Sequence, residues 1–436
     1  MMPAAWEITG SSTPLLIWTI FSSILGTLIV TIFVLNFRKP EKEPHHRVER
    51  CYGTLDPQLR REMGVLLGPA IVSGNRIQAL QNGDEIFPAM LEAIRLAERT
   101  ITFETYIYWS GHVGEQFAAA LTERARAGVS VHLMLDWVGC DKISSALIER
   151  MKSAGVEVER YHALHWYSLG RLNNRTHRKV LIIDGATSFT GGVGIADVWA
   201  GHAQDPDHWR DMHFKVTGPV AAQMQAAFLD NWIKTTGNVL HGDAYFPPIE
   251  PSGDMDMQMF ISSPEGGSDS MRLMYLTAIT AAGRSIDIVA AYFIPDRLMI
   301  RELIAARRRG VRIRLLVPFA HLDAKVVGIA SKGEWGPLLE HGVEIHVYRP
   351  TMLHCKTLIF DGYMVSVGST NFDMRSFELN DEASLNVYDE RFARQMTEVF
   401  EQDLQSSARY TLEEWRGRSW RERLAETVVY PLQSQL

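Results

Sequence analysis

Helical and strand patterns of apolar residues alternate along most of the chain. Apolar residues recur at helical spacing within residues 91–97, and a β-branched run around Ile101 follows them. The same order of helix and strand recurs at residues 276–282 and around Ile286. Helices that alternate with short apolar strands are typical of an α/β layered fold.

The repeat extends over further elements. Gly128-Val129 precedes the apolar run 131–135, and Gly310-Val311 precedes the matching run 313–317. Residues 155–158 and 342–345 match in the same way and add one more strand to each copy. We therefore expect two duplicated αβα sandwich units that are related by a pseudo-two-fold axis.

An uncharged stretch from Ile8 to Phe37 precedes the repeats. Its core, residues 15–37, is long enough to cross a bilayer as a helix. Because no small-residue cleavage site follows it, the stretch favours a retained anchor over a cleaved signal peptide. A helix buried in a soluble core is the alternative, although no charge or polar face interrupts the run.

Basic residues crowd the chain directly after this stretch. They are Arg38, Lys39, Lys42, Arg47 and Arg50, whereas the preceding tail carries only Glu7 as a charged side chain. Since Lys and Arg beside a membrane span favour the cytoplasmic side, the pattern predicts a single-pass protein with its catalytic region in the cytoplasm.

Composition narrows the class of protein. The net charge of −7 argues against a general nucleic-acid-binding protein. Three cysteines, Cys51, Cys140 and Cys355, form neither a metal-binding spacing nor an even disulfide framework. The cysteines therefore fit a reducing compartment, and we predict no metal site and no cofactor.

Charged and proline-rich connections suggest domain boundaries. Residues 41–50 form a charged linker, and residues 246–253 separate the two repeats. We predict an anchor with its linker at 1–50, the first repeat at 51–250, the second at 251–405 and a C-terminal segment at 406–436. Tryptophans and arginines in that last segment are typical of an interfacial helix near anionic lipids, and a helix docked on the catalytic body is the equal alternative.

A short motif occurs twice, each time before an apolar strand. It consists of His177, Lys179 and Asp184 in the first copy and of His354, Lys356 and Asp361 in the second. Residues 180–183 and 357–360 read as buried strands, so the His and Lys of each copy lie on the same strand face. These residues resemble the HKD signature of the phospholipase D superfamily, and the two-copy form resembles its phospholipid-processing branch.

The residue types suit a reaction at a phosphodiester. A neutral histidine can attack phosphorus while a protonated one gives its proton to the departing alcohol, so one site needs both copies. The two lysines place positive charge beside the phosphoryl oxygens, and no metal is then required. Each aspartate precedes a glycine and reads equally well as a turn residue, whereas the resemblance implies that it orients a histidine.

Small residues follow each motif at the same interval, as Gly191-Gly192 and as Gly368-Ser369. The resemblance implies that Asn371, close behind Ser369, supplies an amide donor to the phosphate. The first copy has no side-chain donor at the matching place. We therefore expect the backbone N–H of Gly192 to approach the phosphate there.

The anchor and the motifs together resemble bacterial cardiolipin synthases, over nearly all of the chain after the linker. Weaker matches include Asn82-Gly83 and Trp209-Arg210-Asp211. The resemblance implies phosphatidylglycerol substrates in the anionic bacterial inner membrane. One phosphatidylglycerol forms a covalent phosphohistidine as glycerol leaves, and a second resolves it to cardiolipin. His177 is then the expected nucleophile and His354 the acid–base residue.

The same motifs serve other activities. A hydrolytic phospholipase D admits water to the intermediate, and a membrane-anchored nuclease needs a basic groove with aromatic stacking platforms. The one compact basic run of the second repeat, residues 307–309, reads as a solvated helix face, which favours lipid over nucleic acid. The long connection from His162 to Thr176 is a candidate substrate wall.

Overall fold

A computed structural model describes residues 12–37, 49–161, 174–263, 270–319 and 321–431. Most of the predicted linker and most of the candidate substrate wall, residues 162–173, lie outside these ranges. Two units are distinguished, residues 1–42 with 162–173 and residues 43–161 with 174–436. Each unit is described by itself.

The described part of the first unit is the helix α1 (Ser12–Phe37). Its segment Pro14–Thr31 has a mean hydropathy of 1.9 and none of it is buried. The hydroxyls of Thr19 and Thr27 donate to the carbonyls of Leu15 and Ser23, each at 2.8 Å, so their polar groups are satisfied within the helix. The helix is long and apolar enough to cross a membrane, as the sequence predicts.

Helices and strands alternate through the first half of the second unit. Its helices are α2 (Pro57–Val65), α3 (Asn82–Arg95), α4 (His112–Arg126), α5 (Ser145–Ser153) and α6 (Ala221–Thr236), with a 3-10 helix at Asp197–Trp199. Its strands are β1 (Val72–Gln81), β2 (Thr100–Thr105), β3 (Ser130–Asp136), β4 (Glu157–Tyr161), β5 (Arg175–Thr176), β6 (Val180–Ile183), β7 (Thr187–Gly191) and β8 (Met212–Thr217).

The second half has the same alternation. Its strands are β9 (Met255–Ser262), β10 (Ser285–Ala290), β11 (Phe293–Ile294), β12 (Arg312–Pro318), β13 (Glu344–Tyr348), β14 (Lys356–Phe360), β15 (Met364–Gly368), β16 (Phe372–Asp373), β17 (Asn380–Tyr388) and β18 (Ser407–Tyr410). Its helices are α7 (Ser270–Ala281), α8 (Arg297–Arg308), α9 (Lys325–Glu340), α10 (Met374–Glu378), α11 (Glu390–Gln405), α12 (Leu412–Arg416) and α13 (Trp420–Val429).

One continuous sheet carries both halves, and the strand order repeats. From the centre outwards the first half runs β1-β8-β7-β6-β2-β3-β4, and the second runs β9-β17-β15-β14-β10-β12-β13, with β18 at its outer edge. The halves meet where β1 pairs antiparallel with β9. This order confirms the predicted duplicated α/β fold. The domain boundary at residues 250 and 251 stays a prediction, because the sheet continues across it.

Both faces of the central strands are covered, since every residue of β2, β14 and β17 is buried. Each half has its own apolar core on one face, and a further core joins the halves on the other face. In that joint core the rings of Phe214 and Phe392 lie 6.1 Å apart. Although the predicted first repeat begins at residue 51, Leu59 and Met63 of α2 pack into the core of the second half.

The helices α12 and α13 of the C-terminal segment are docked on the catalytic body, as one of the two alternatives predicts. The indole N–H of Trp415 donates to the carbonyl of Lys332 in α9 at 2.9 Å. A side chain at Gly336 would lie 2.3 Å from the Trp415 ring, so glycine is needed for this close packing. Trp420, in contrast, remains 69% exposed.

Candidate active site

Each copy of the motif places its histidine and lysine at the entrance of a buried strand. His177 and Lys179 precede β6, and His354 and Lys356 stand at the start of β14; all four side chains are buried. The ammonium group of Lys179 donates to the carbonyl of His177 at 2.9 Å, and that of Lys356 to the carbonyl of His354 at 2.6 Å. Each lysine therefore lies beside its own histidine.

Each catalytic histidine forms hydrogen bonds with residues of the other half. The backbone N–H of His177 donates to the carbonyl of Asp381 at 2.9 Å, and Nδ1 of its ring lies 2.9 Å from the Glu382 carboxylate. The second copy repeats this relationship in the opposite direction. His354 donates its backbone N–H to the carbonyl of Arg210 at 2.8 Å, and its Nδ1 lies 2.8 Å from the Asp211 carboxylate.

Each histidine thus takes its acidic partner from the other half of the molecule. A carboxylate that accepts the Nδ1 proton leaves Nε2 without a proton, which is the form that can attack phosphorus. Both motifs contribute to one site, because the lysine of the second copy lies within electrostatic range of the histidine of the first.

Asp184 and Asp361 do not orient the histidines, so the role implied for them by the resemblance is wrong. Asp184 accepts the backbone N–H groups of Glu98, Arg99 and Thr100 at 2.7–2.9 Å. Asp361 accepts the matching three amides of residues 283–285 at 2.6–2.9 Å. Both aspartates have positive φ, +52° and +54°, which a short polar side chain tolerates in a turn. The turn interpretation therefore holds, and the aspartates tie each motif hairpin to the neighbouring strand.

Gly192 does not present a free amide to a phosphate, so that expectation is also corrected. Its backbone N–H donates to the carbonyl of Met212 at 3.0 Å. A side chain at this position would lie 2.2 Å from Oδ1 of Asp211. Glycine is therefore required here to leave room for the carboxylate that holds His354.

Ser369, at the position that matches Gly192, supports the other carboxylate. Its hydroxyl donates to Oε2 of Glu382 at 2.5 Å, and the amide of Asn380 donates to Oε1 at 3.3 Å. Asn371 is buried, and its Oδ1 has no hydrogen-bond partner among the described residues. Its role toward phosphate stays a prediction.

Burial and neighbouring cations make His177 a neutral base. Burial lowers the pKa of His177 well below its usual value, and the charges of Lys179, Lys356 and Arg375 lower it further. An imidazole with so low a pKa is neutral at pH 7. It is therefore in the form that a nucleophile requires.

His354 has a different electrostatic setting. Burial and the Lys356 ammonium lower its pKa, but the ionised Asp211 acts against that shift. Asp211 stays ionised because His354 and Lys356 outweigh the effect of burial and hold the pKa of Asp211 below its usual value. For Glu382, burial is stronger than its cationic neighbours and raises the pKa to about 7. The ionised Asp211 therefore stabilises a protonated His354 more than Glu382 stabilises a protonated His177.

The surroundings of both lysines disfavour their positive charge. Burial, together with the repulsion of Lys356, lowers the pKa of Lys179 to about 7. Burial likewise lowers the pKa of Lys356. Two buried cations that destabilise one another are stabilised by an anion placed between them, and a phosphodiester is such an anion.

Aromatic rings enclose both histidines. The ring of Tyr106 lies 5.0 Å from that of His177, and the rings of Trp199 and Trp209 lie 5.5 and 5.3 Å from that of His354. The indole N–H of Trp199 also donates to Oδ2 of Asp211 at 3.0 Å. Low dielectric around the histidines strengthens every charge interaction in the site.

Sequence reasoning missed Glu382 and Asp211 as the partners of the histidines. A signal was present in the sequence. Each carboxylate directly follows a second charged residue, in Arg210-Asp211 and in Asp381-Glu382. Asp211 precedes β8, which pairs with β7, and Glu382 lies in β17, which pairs with β15; the small residues stand at the ends of β7 and β15. A comparison of the two repeats at this point would have aligned the two carboxylates. Nothing local in either segment, however, indicates that the partner comes from the opposite repeat.

Paired His and Lys residues from two halves of a duplicated α/β sheet define an enzyme of the phospholipase D superfamily. The family model for the phospholipase D-like domain of cardiolipin synthase matches residues 90–230 and 275–404. The chain belongs to the cardiolipin synthase family. The apolar helix α1 and the bacterial origin of the relatives indicate a membrane-anchored protein.

Individual relatives agree with this assignment. The chain is 34% identical over 352 residues to a cardiolipin synthase of Geobacillus kaustophilus, which covers 80% of this chain and 70% of the relative. It is 30% identical to a cardiolipin synthase of Halalkalibacterium halodurans, over 96% of this chain and 88% of the relative. The crystal structure of a phosphatidylserine synthase of Haemophilus influenzae has a TM-score of 0.66 at 12% identity and covers 86% of this chain and 99% of that one, which shows a shared fold.

Proposed function

We propose that this enzyme makes cardiolipin from two phosphatidylglycerol molecules and releases glycerol. The observation that carries the proposal is the pair of histidines held by carboxylates exchanged between the halves, His177 with Glu382 and His354 with Asp211. In this arrangement, two imidazoles with different carboxylate partners and two lysines act on one phosphodiester. Membership of the cardiolipin synthase family supports the lipid product.

In the first step, Nε2 of His177 attacks the phosphorus of one phosphatidylglycerol. A P–N bond forms and the bond between phosphorus and the glycerol head-group oxygen breaks. His354 gives its proton to that oxygen, so neutral glycerol leaves. Lys179 and Lys356 face the charge on the phosphoryl oxygens, which is where the transition state needs stabilisation.

In the second step, a hydroxyl of another phosphatidylglycerol resolves the phosphohistidine. His354, now neutral, takes the hydroxyl proton while the oxygen attacks phosphorus and the P–N bond breaks. A phosphodiester replaces a phosphodiester, so no nucleotide is needed. Water in place of the lipid hydroxyl gives phosphatidic acid, which is the product expected of a hydrolytic phospholipase D.

The order of the histidines follows from their partners. His177 is surrounded by cations that keep it neutral, whereas His354 lies against an ionised Asp211 that favours its protonated form. The phosphate of a bound lipid adds a negative charge and favours the protonated form further. We therefore assign nucleophilic attack to His177 and proton transfer to His354.

Purified full-length enzyme in mixed micelles of phosphatidylglycerol tests the reaction. Cardiolipin and glycerol in equal amounts are the expected products, measured by thin-layer chromatography and a glycerol assay. Phosphatidic acid as the main product would assign hydrolysis instead. To map the intermediate, enzyme that has reacted with labelled lipid is quenched without acid and digested briefly. The label is expected on His177, and a label on His354 would reverse the order.

The proposal places the catalytic body in the cytoplasm, attached to the membrane by one span. The basic residues behind Phe37 support this orientation by the positive-inside rule. A reporter that is active only in the cytoplasm, fused after Leu436, is expected to be active. Activity of an export-dependent reporter at the same position would place the body on the outer face.

A further inference from the structure

A cavity of about 480 Å³ lies between α9 and the C-terminal helix α13. Apolar side chains from several elements form its walls, namely Ala291, Val317, Val327, Ile329, Trp335 and Ala425. A concave site of this size with mostly apolar walls is typical of binding sites for the apolar part of a small ligand.

The two acidic side chains that line this cavity, Glu422 and Glu426, are paired with basic ones. The ammonium group of Lys332 donates to Oε1 of Glu422 at 2.8 Å, and Arg418 donates to Oε2 of Glu426 at 3.1 Å. Paired charges do not require a charged ligand for compensation. The interior of the cavity therefore suits a hydrocarbon chain better than an anion.

The wall of the cavity lies beside the strand that carries Lys356, at Ala291 and Tyr292. The hydroxyl of Tyr292 donates to the carboxylate of Asp323. Burial lowers the pKa of both His354 and Lys356, and the charge of Asp323 acts against that shift in each. Asp323 therefore lies within electrostatic range of both catalytic groups. In the sheet, Ala290 of β10 pairs with the catalytic Lys356 of β14, and the next two residues of the chain, Ala291 and Tyr292, line the cavity.

The outer rim of the cavity has the character of a membrane-facing surface. On α13, Trp420, Leu424 and Val428 follow one another at helical spacing and are 69%, 54% and 67% exposed. Lys325 and Arg421 are exposed at the same rim, and neither has an ion-pair partner within the described ranges. Exposed apolar side chains beside unpaired cations fit the interface of an anionic bilayer.

We propose that this cavity receives an acyl chain of the phospholipid whose phosphate lies between the two catalytic histidines. The proposal rests on the proposed function, because it takes a phospholipid as the substrate. Apolar walls, a cationic rim and a position beside the strand that carries Lys356 are together what one amphipathic lipid needs.

The cavity also distinguishes the two halves. The helix α9 has 16 residues, whereas α5, which follows the matching strand β3 of the first half, has 9. The longer helix and the docked α13 form walls that α5 does not provide. The two lipids that react therefore occupy non-equivalent sites, and the cavity holds a chain of one of them.

Ala425→Trp, which fills the cavity from α13, tests the proposal in the full-length enzyme. Thr427→Trp adds the same bulk to an exposed position of the same helix and is the matched control. With dioleoyl phosphatidylglycerol in mixed micelles, Ala425→Trp is expected to raise KM on the order of tenfold, because burial of a chain of methylene groups is lost. With dihexanoyl phosphatidylglycerol the same variant is expected to match the wild type. No change with either lipid, or an equal loss with both, would overturn the proposal.

A labelling experiment does not depend on turnover. Full-length His177→Ala enzyme is mixed with phosphatidylglycerol that carries a photoreactive diazirine at the end of one acyl chain, and labelled peptides are mapped by mass spectrometry. Label on α9 and α13 is expected, and label confined to other peptides would overturn the acyl-chain site. If wild-type enzyme makes no cardiolipin while the label maps to α9 and α13, the proposed function fails and the lipid site stands.

Discussion

The Glu382 carboxylate lies 2.9 Å from Nδ1 of His177, although 205 residues separate the two in the chain. The same relationship joins Asp211 to His354 across 143 residues at 2.8 Å. Neither motif is therefore complete within its own repeat. The two halves need one another for catalysis as well as for their common core.

Neutral replacements of the two carboxylates test this relationship. Glu382→Gln and Asp211→Asn keep the size of each side chain but remove its charge, and an amide N–H that donates to Nδ1 favours the wrong histidine tautomer. We expect kcat to fall by about 10²- to 10³-fold in each. Because these residues act through the histidines, KM for phosphatidylglycerol is expected to change little. A large rise in KM with an unchanged kcat would contradict a positioning role.

Removal of either histidine is expected to abolish turnover. His177→Ala and His354→Ala should each lower kcat by several orders of magnitude, because one loses the nucleophile and the other the proton carrier. Radiolabelled lipid and a rapid quench distinguish the two variants, since only His354→Ala retains the residue that becomes phosphorylated. Full activity in either variant would exclude a two-histidine mechanism.

A methyl group at Gly192 tests the space reserved for Asp211. The added Cβ of Gly192→Ala would lie 2.2 Å from Oδ1, so the carboxylate must move away from His354. We expect kcat to fall by at least about tenfold, because Asp211 then no longer holds His354 in position. Gly333→Ala is the matched control, because its Cβ would lie 3.9 Å from the nearest atom. Equal activity of both variants would show that the position of Asp211 is not critical.

The pH dependence of kcat/KM follows from Glu382 and Lys179. The imidazole of His177 itself stays neutral as the pH falls through 6.5, because burial and the lysines hold its pKa well below that value. Its partner Glu382 has a pKa that burial raises to about 7, so it takes up a proton as the pH falls through neutrality and no longer accepts the Nδ1 proton. On the basic side, Lys179 loses its charge as the pH rises through about 7. We therefore expect a narrow bell-shaped profile centred near neutrality for short-chain phosphatidylglycerol. A profile with no acid limb would contradict the role of Glu382.

The lysines are predicted to replace a metal ion. Lys179→Ala and Lys356→Ala are expected to lose activity by about 10²-fold or more, because the phosphoryl charge is then unopposed. Chelators added to the wild-type enzyme are expected to leave the rate unchanged. Loss of activity with a chelator, restored by one divalent cation, would contradict the predicted metal independence.

Local patterns determined much of this protein from the sequence alone. Strand periodicity identified β6 and β14, the repeat identified the duplicated fold, and the apolar stretch identified α1, because each of these depends on residues that are close in the chain. The histidines and lysines were identified by their repeated spacing.

The tertiary structure alone decided what those residues contact. Glu382 and Asp211 reach the histidines only because the two halves pair along one sheet, and Asp184 and Asp361 are drawn to the backbone amides of neighbouring strands instead. The docking of α13 on α9, and with it the cavity, likewise depends on surfaces far apart in the chain. Spacing along a sequence describes neighbours within a few residues, whereas a catalytic site is built from contacts that the packing of the whole chain selects.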